Sequence, residues 1–166
     1  MKQKTAIIIG ASTGIGAAAA IALAKEYKKI AITSFRHPKK LETVRQLVLA
    51  QGADCYAETG DAGDFAFIKR FIGHVTEHFG EEIDLLVNNA GISYIGLLTD
   101  MEEADWQRIM DTNITSVFNA CRQVVPHMVH AHKGRIINVS SVWGNVGASC
   151  EVAYSATKGA VNAFTK

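Results

Sequence analysis

Tyr154 and Lys158 stand four residues apart near the end of the chain, and Ser141 lies thirteen residues before the tyrosine. On a helix, positions i and i+4 share one face, which sets the lysine ammonium beside the phenol. A free tyrosine ionises near pH ~10. A neighbouring cation favours the phenolate and lowers that value toward the working range of a general acid. Ser141 can then give a hydrogen bond to the reacting oxygen. Near the other end of the chain, Gly10, Gly14 and Gly16 follow the first apolar run. Glycines between a strand and a helix let backbone amides approach a pyrophosphate. The two groups together imply nicotinamide-dependent carbonyl chemistry in which a phenol donates the proton.

The elements that must position these groups alternate. Thr5 to Ile9 is a short continuous apolar run, as expected for a strand buried on both faces. The pattern predicts further strands over residues 30–34, 54–57, 83–87 and 135–139. Between them it predicts helices over 17–27, 41–51, 64–79 and about 104–130, the last interrupted or bent near Pro126. A final helix begins near Glu151 and still runs at Lys166, with neither a glycine cap nor a following proline. This alternation implies an α/β fold, a doubly wound parallel sheet in three layers forming one Rossmann domain over residues 1–166. Its ligand crevice is expected at the strands' C-terminal edge.

At the crevice, Gly10 ends the first strand, Gly14 gives close approach to phosphate, and Gly16 gives close helix packing. Ser12 and Thr13 add hydroxyls to this turn, and Ile15 completes it. After the second strand an NAD site usually places an acid for the ribose diol. This chain has Ser34-Phe35-Arg36-His37 and no acid before Glu42. Arg36 is therefore the candidate for a 2′-phosphate, and NADP(H) is expected in preference to NAD(H). A solvated basic loop is the alternative.

The order glycine turn, Asn-Asn-Ala-Gly at 88–91, Asn113, Ser141, Tyr154 and Lys158 resembles the short-chain dehydrogenase/reductase family, over nearly the whole chain. The resemblance implies that Tyr154 is the general acid of ketone reduction and that Ser141 orients the carbonyl. It also implies that Lys158 holds the nicotinamide ribose while lowering the tyrosine pKa. Asn113 would lie in a distorted helix that holds a water of the proton relay. Asp61 would contact adenine, and Asn89, Ala90 and Gly91 would lie beside the adenosine ribose. Ser141 is chosen over Ser140 because its distance to Tyr154 matches the family. Members of the family continue with two more strands, so this chain is expected to be shortened at its C-terminus and to lack those strands. A homo-oligomer, dimer or tetramer, is expected of a full-length form.

Within the family the pattern resembles 3-oxoacyl-carrier-protein reductases. The stretch 140–152 also resembles reductases of the 5-aminopentanone group on elongation factor P, whose amine would give Glu151 a purpose. An inactive fragment with weak nucleotide binding is a third reading. Trp143 and Glu151 are expected to line the substrate mouth. Glu151 either caps the final helix or receives a cationic group of the substrate. Cys150 is expected to be a buried small side chain. His127, His130 and His132 suit helix capping, with no carboxylate to join them, and no metal is expected.

Net charge is +1 and no basic stripe or aromatic platform is evident, so neither nucleic acid nor membrane is an expected partner. The partner is a ketone, free or attached to a protein. Three scattered cysteines suit reduced thiols in the cytoplasm. The segment from Met1 to Thr5 leads directly into a strand without a cleavable leader, and no apolar stretch approaches the ~20 residues of a membrane span.

Overall fold

In the computed structural model, which describes residues 3–166, five parallel strands run in the order β3-β2-β1-β4-β5. They are β1 Thr5–Ile9, β2 Lys29–Ser34, β3 Asp54–Thr59, β4 Leu85–Asn88 and β5 Arg135–Asn138. Met1 and Lys2, the start of the segment read as leaderless, lie outside the described residues. Strand order reverses between β1 and β4, where Ile7 pairs with Ala31 on one side and Leu86 on the other. This is the topological switch point at which doubly wound sheets open a crevice.

Because strand side chains alternate, β1 feeds two cores. Ile7 and Ile9 pack with Phe67, Phe71, Val117, Val124 and Val161. Ala6 and Ile8 pack with Ala20, Leu41, Val44 and Val48 on the opposite face. The helices of the second face are α1 (Gly14–Leu23) and α2 (Pro38–Ala50). The first face takes α3 (Phe65–Phe79), α4 (Glu103–Met110), α5 (Ser116–His130) and α7 (Val152–Thr165), while a short α6 (Trp143–Val146) lies over α7. Each fully buried Ile of β1 contributes about 1.5–3 kcal/mol of transfer free energy, so this strand anchors both layers.

Several element boundaries differ from the sequence pattern for local reasons. Helix α2 starts at Pro38 rather than residue 41, because proline's fixed φ suits the first helical turn. Helix α1 starts at Gly14, inside the glycine turn, and ends at Leu23 rather than 27. Asp64 caps α3 by accepting a hydrogen bond from Ala66 N (2.8 Å), and Gly80 closes it at φ +95°. The long helical region is interrupted, though not where proline suggested. Its break is a π turn at Asp111–Thr115, whereas α5 runs through Pro126. A π turn accommodates one extra residue and often marks a functional position.

Strand β5 pairs with β4 alone, so its outer edge is free among the described residues, with Ile137 exposed. No helix among the described residues is long and apolar enough to cross a membrane.

Candidate active site

The C-terminal ends of β1, β2 and β4 surround a cavity of about 730 Å³. Gly10, Ser12 and Thr13 line it from the glycine turn, Arg36 and Asp61 from the β2 and β3 ends, and Asn89, Ala90 and Gly91 from β4. Gly14, at φ +58°, and the exposed Ile15 lie outside the lining. Gly16 is buried against the strand end, where an added Cβ would sit 2.2 Å from Gly10 O and 2.6 Å from Asn89 Nδ2. That absence of a side chain lets Asn89 Nδ2 donate to Gly10 O at 2.7 Å, closing the turn onto β4. Thr13 precedes α1 without capping it through its side chain, so the first-turn amides have no side-chain partner. An uncapped helix start beside a glycine turn fits the pyrophosphate of a dinucleotide.

The opposite wall consists of Ala104, Gln107 and Arg108 of α4, which the sequence reading did not single out. Their i, i+3, i+4 spacing was the available signal. Arg36 carries its guanidinium 4.8 Å from the Phe35 ring centroid, and Phe35 and His37 also line the cavity. Ser141, Tyr154 and Lys158 lie outside this lining.

Beyond Gly91 the side chains converge. Lys158 is 4% exposed, and its Nζ donates to Val139 O at 2.7 Å. Burial pushes its ammonium pKa down from the usual lysine value. The same Nζ lies 5.7 Å from the ring centroid of Tyr154, one turn earlier on α7. An added Cβ at Gly91 would lie 3.5 Å from both Lys158 Nζ and Asn113 Oδ1, which places the π turn and the lysine around one small space.

Asn113 is 1% exposed, so it is not a solvated helical asparagine. Its Oδ1 accepts from Ile92 N at 2.8 Å, and its Nδ2 donates to Ile92 O at 2.9 Å and to Thr157 Oγ1 at 3.0 Å. All of the amide's hydrogens are thus engaged. The two adjacent serines separate cleanly. Ser140 Oγ donates to Lys158 O at 3.1 Å, a brace between β5 and α7. Ser141 Oγ accepts from Trp143 N at 3.2 Å and stays half-buried.

Three expectations need correction. Glu151 sits at the N-cap of α7 without a side-chain cap, and its Oε2 instead accepts from Ser93 Oγ at 2.6 Å. Cys150 is half-buried at φ +59°, and its carbonyl accepts from Gly96 N at 2.9 Å, tying the two rim loops together. A carboxylate does join the histidines: Glu81 Oε2 lies 3.0 Å from His127 Nδ1. Among the described residues no group of three or more His, Cys, Asp or Glu is arranged to hold a metal ion. Trp143 stands in α6 at the rim, 38% exposed.

A family model described as short chain dehydrogenase matches residues 4–166. The chain belongs to the short-chain dehydrogenase family. It is 39% identical over 163 residues to the 3-oxoacyl-[acyl-carrier-protein] reductase FabG of Staphylococcus aureus, covering 98% of this chain and 66% of that protein. It is 37% identical over 166 residues to nodulation protein G of Azospirillum brasilense, covering 100% of this chain and 67% of that one. A crystal structure of an actinorhodin polyketide ketoreductase with NADPH superposes with a TM-score of 0.92 at 30% identity, over 98% of this chain and 62% of that one. The chain therefore spans about two thirds of the length of the curated relatives it matches.

Proposed function

We propose that this family member is an NADPH-dependent oxidoreductase that reduces a ketone to a secondary alcohol, in the manner of a 3-oxoacyl-carrier-protein reductase. The observation that carries the reading is the Tyr154–Lys158 pair on one face of α7, with the lysine held by Val139 O beside the space at Gly91. A bound nicotinamide dinucleotide supplies the hydride. Tyr154 donates the proton to the carbonyl oxygen, and a positioned acid of this kind accelerates by about 10²–10⁴. Ser141 holds that oxygen by a hydrogen bond. Lys158 holds the ribose. The π turn at Asn113 positions a proton-relay water. Asp61 contacts adenine, and Asn89 to Gly91 support the adenosine ribose.

Arg36 supports a 2′-phosphate, since a guanidinium binds phosphate in a bidentate way. Exposed Ile95, Leu98, Trp143, Val142 and Val146 suit a ketone with an apolar body. The three free thiols fit a cytoplasmic setting. Exposed Phe118 and Val129 on α5 and Phe164 on α7 suit a homo-oligomer.

Ketone-dependent oxidation of NADPH against NADH tests the reading. NADPH is expected to be preferred, and Arg36→Ala is expected to lower that preference about 10- to 100-fold, the value of one charge-assisted contact. Equal use of NADH by the parent chain overturns the NADP assignment, and no turnover with either overturns the reductase reading.

One observation favours a second reading of the substrate. The Glu151 carboxylate is held at the rim by Ser93 instead of capping α7, which suits a ketone bearing an amine, such as a protein-attached aminopentanone. Glu151→Gln is then expected to raise KM for an amino ketone about tenfold, roughly the worth of one exposed-to-half-buried charge contact. An unchanged ratio against a neutral ketone rejects it.

A further inference from the structure

We infer that Thr157 is a positioning residue, whose hydroxyl links the π turn to the helix carrying Tyr154 and Lys158. The inference rests on the reductase reading of that helix. Thr157 is fully buried, and its Oγ1 donates to Tyr154 O at 2.8 Å. Alone, that bond is an ordinary back-bond within a helix. The same oxygen also accepts from Asn113 Nδ2 at 3.0 Å, forty-four residues away in sequence. Asn113 in turn clamps both the N–H and the carbonyl of Ile92. A continuous line of hydrogen bonds, buried at its centre, thus runs from Ile92, beside the Asn-Asn-Ala-Gly segment, through Asn113 and Thr157 to the Tyr154 carbonyl.

The next residue reaches the other way. Lys158 Nζ is fixed on Val139 O at the end of β5, so adjacent side chains pin α7 toward β5 and toward the π turn. Asn113 has no spare acceptor for its second N–H once Thr157 is lost, because Ile92 O already takes the first. The buried amide must then turn or shift, and either movement changes where Tyr154 stands relative to the Ile92 loop. Chemistry with a proton and a hydride delivered together is sensitive to such displacement. The cavity-lining residues Gly10, Ser12, Thr13 and Arg36, which the reductase reading assigns to the phosphates, lie on other elements.

Thr157→Val keeps the shape and removes the hydroxyl, while Thr157→Ser keeps the hydroxyl. The test measures NADPH oxidation with ethyl acetoacetate, NADPH affinity by fluorescence, the thermal midpoint, and amide hydrogen exchange at Ile92 and residues 111–115. In Thr157→Val, kcat is expected to fall about tenfold with NADPH affinity within about twofold, and Ile92 is expected to exchange faster. Thr157→Ser is expected to restore both. Wild-type kcat and wild-type Ile92 exchange in Thr157→Val overturn the inference, as does a Thr157→Ser variant that behaves like valine. A parallel loss of kcat, NADPH affinity and thermal midpoint also overturns it, since that marks general unfolding. Should Thr157→Val fail to fold, Thr157→Ala removes the same acceptor with less crowding. If the parent chain turns over no ketone, the reductase reading fails, and Ile92 exchange alone decides the brace.

Discussion

On the β1–β3 side of the switch point the glycine turn presents backbone to the cleft, with Arg36 and Asp61 at its margin, and on the β4–α7 side the groups presented are side chains. The first half offers the uncapped start of α1 and a glycine turn closed onto β4 by Asn89, with Ser12, Thr13, Arg36 and Asp61 around it. The second half offers an amide, a hydroxyl and an ammonium held by bonds that cross between distant elements, with the Tyr154 phenol one turn from the ammonium. Backbone sites need space, so they are damaged by adding atoms. Side-chain sites need particular groups, so they are damaged by removing them.

The largest test of that contrast removes one oxygen from the second half. Tyr154→Phe is expected to lower ketone turnover by about 10²–10⁴, the worth of a general acid. NADPH affinity, measured by fluorescence, is expected to change by no more than about threefold, because the phosphate-binding elements are untouched. Retained turnover in the phenylalanine variant breaks the assignment of chemistry to the side-chain half.

The reverse test adds one carbon to the first half. Gly16→Ala places a Cβ against Gly10 O and Asn89 Nδ2, both closer than 3.0 Å. Backbone must move, at a cost of about 1–3 kcal/mol in stability. NADPH affinity is expected to drop by about tenfold or more, the opposite signature to Tyr154→Phe. A variant with unchanged affinity and unchanged thermal midpoint separates the glycine turn from nucleotide binding.

The same contrast explains what could be read from the chain. Strand runs such as Thr5–Ile9 and the glycine spacing are local patterns, so the parallel sheet and the cleft at its C-terminal edge are legible in the sequence. The Tyr154–Lys158 pair was legible because four residues on a helix is also local. The brace between Asn113 and Thr157 was not, since nothing in either segment marks a partner forty-four residues away. The interruption was assigned to Pro126 because proline is the visible helix breaker, yet the structure places it at Asp111–Thr115, where Asn113 is held by Ile92 and Thr157. For Glu151 the pattern leaves open a cap or a contact to a cationic substrate group; acids favour first turns, but Ser93 from another loop holds its carboxylate.

The smallest expected effect sharpens the comparison at the far edge of the nucleotide half, where side chains do gather without forming a site. On β3, the Glu58 carboxylate accepts from Tyr56 Oη at 2.8 Å and Arg70 NH2 at 3.3 Å, and it lies 2.9 Å from His74 Nδ1. Burial pushes the Glu58 pKa up, but hydrogen bonds from His74, Tyr56 and Arg70 outweigh it and leave the carboxyl below its ordinary value. A carboxyl lowered on folding stabilises above its unfolded pKa, and that contribution is lost as pH falls through the folded value. Glu58→Gln is therefore expected to cost about 1 kcal/mol at pH 7, the scale of a partly exposed network, and nearly nothing at the acid end below both pKa values. Urea unfolding at both pH values checks it, alongside an NADPH affinity that stays at the parent value. Loss of nucleotide binding in this variant shows that the β3 network, beyond Arg36 and Asp61, also builds the cleft, and the division between the halves then fails.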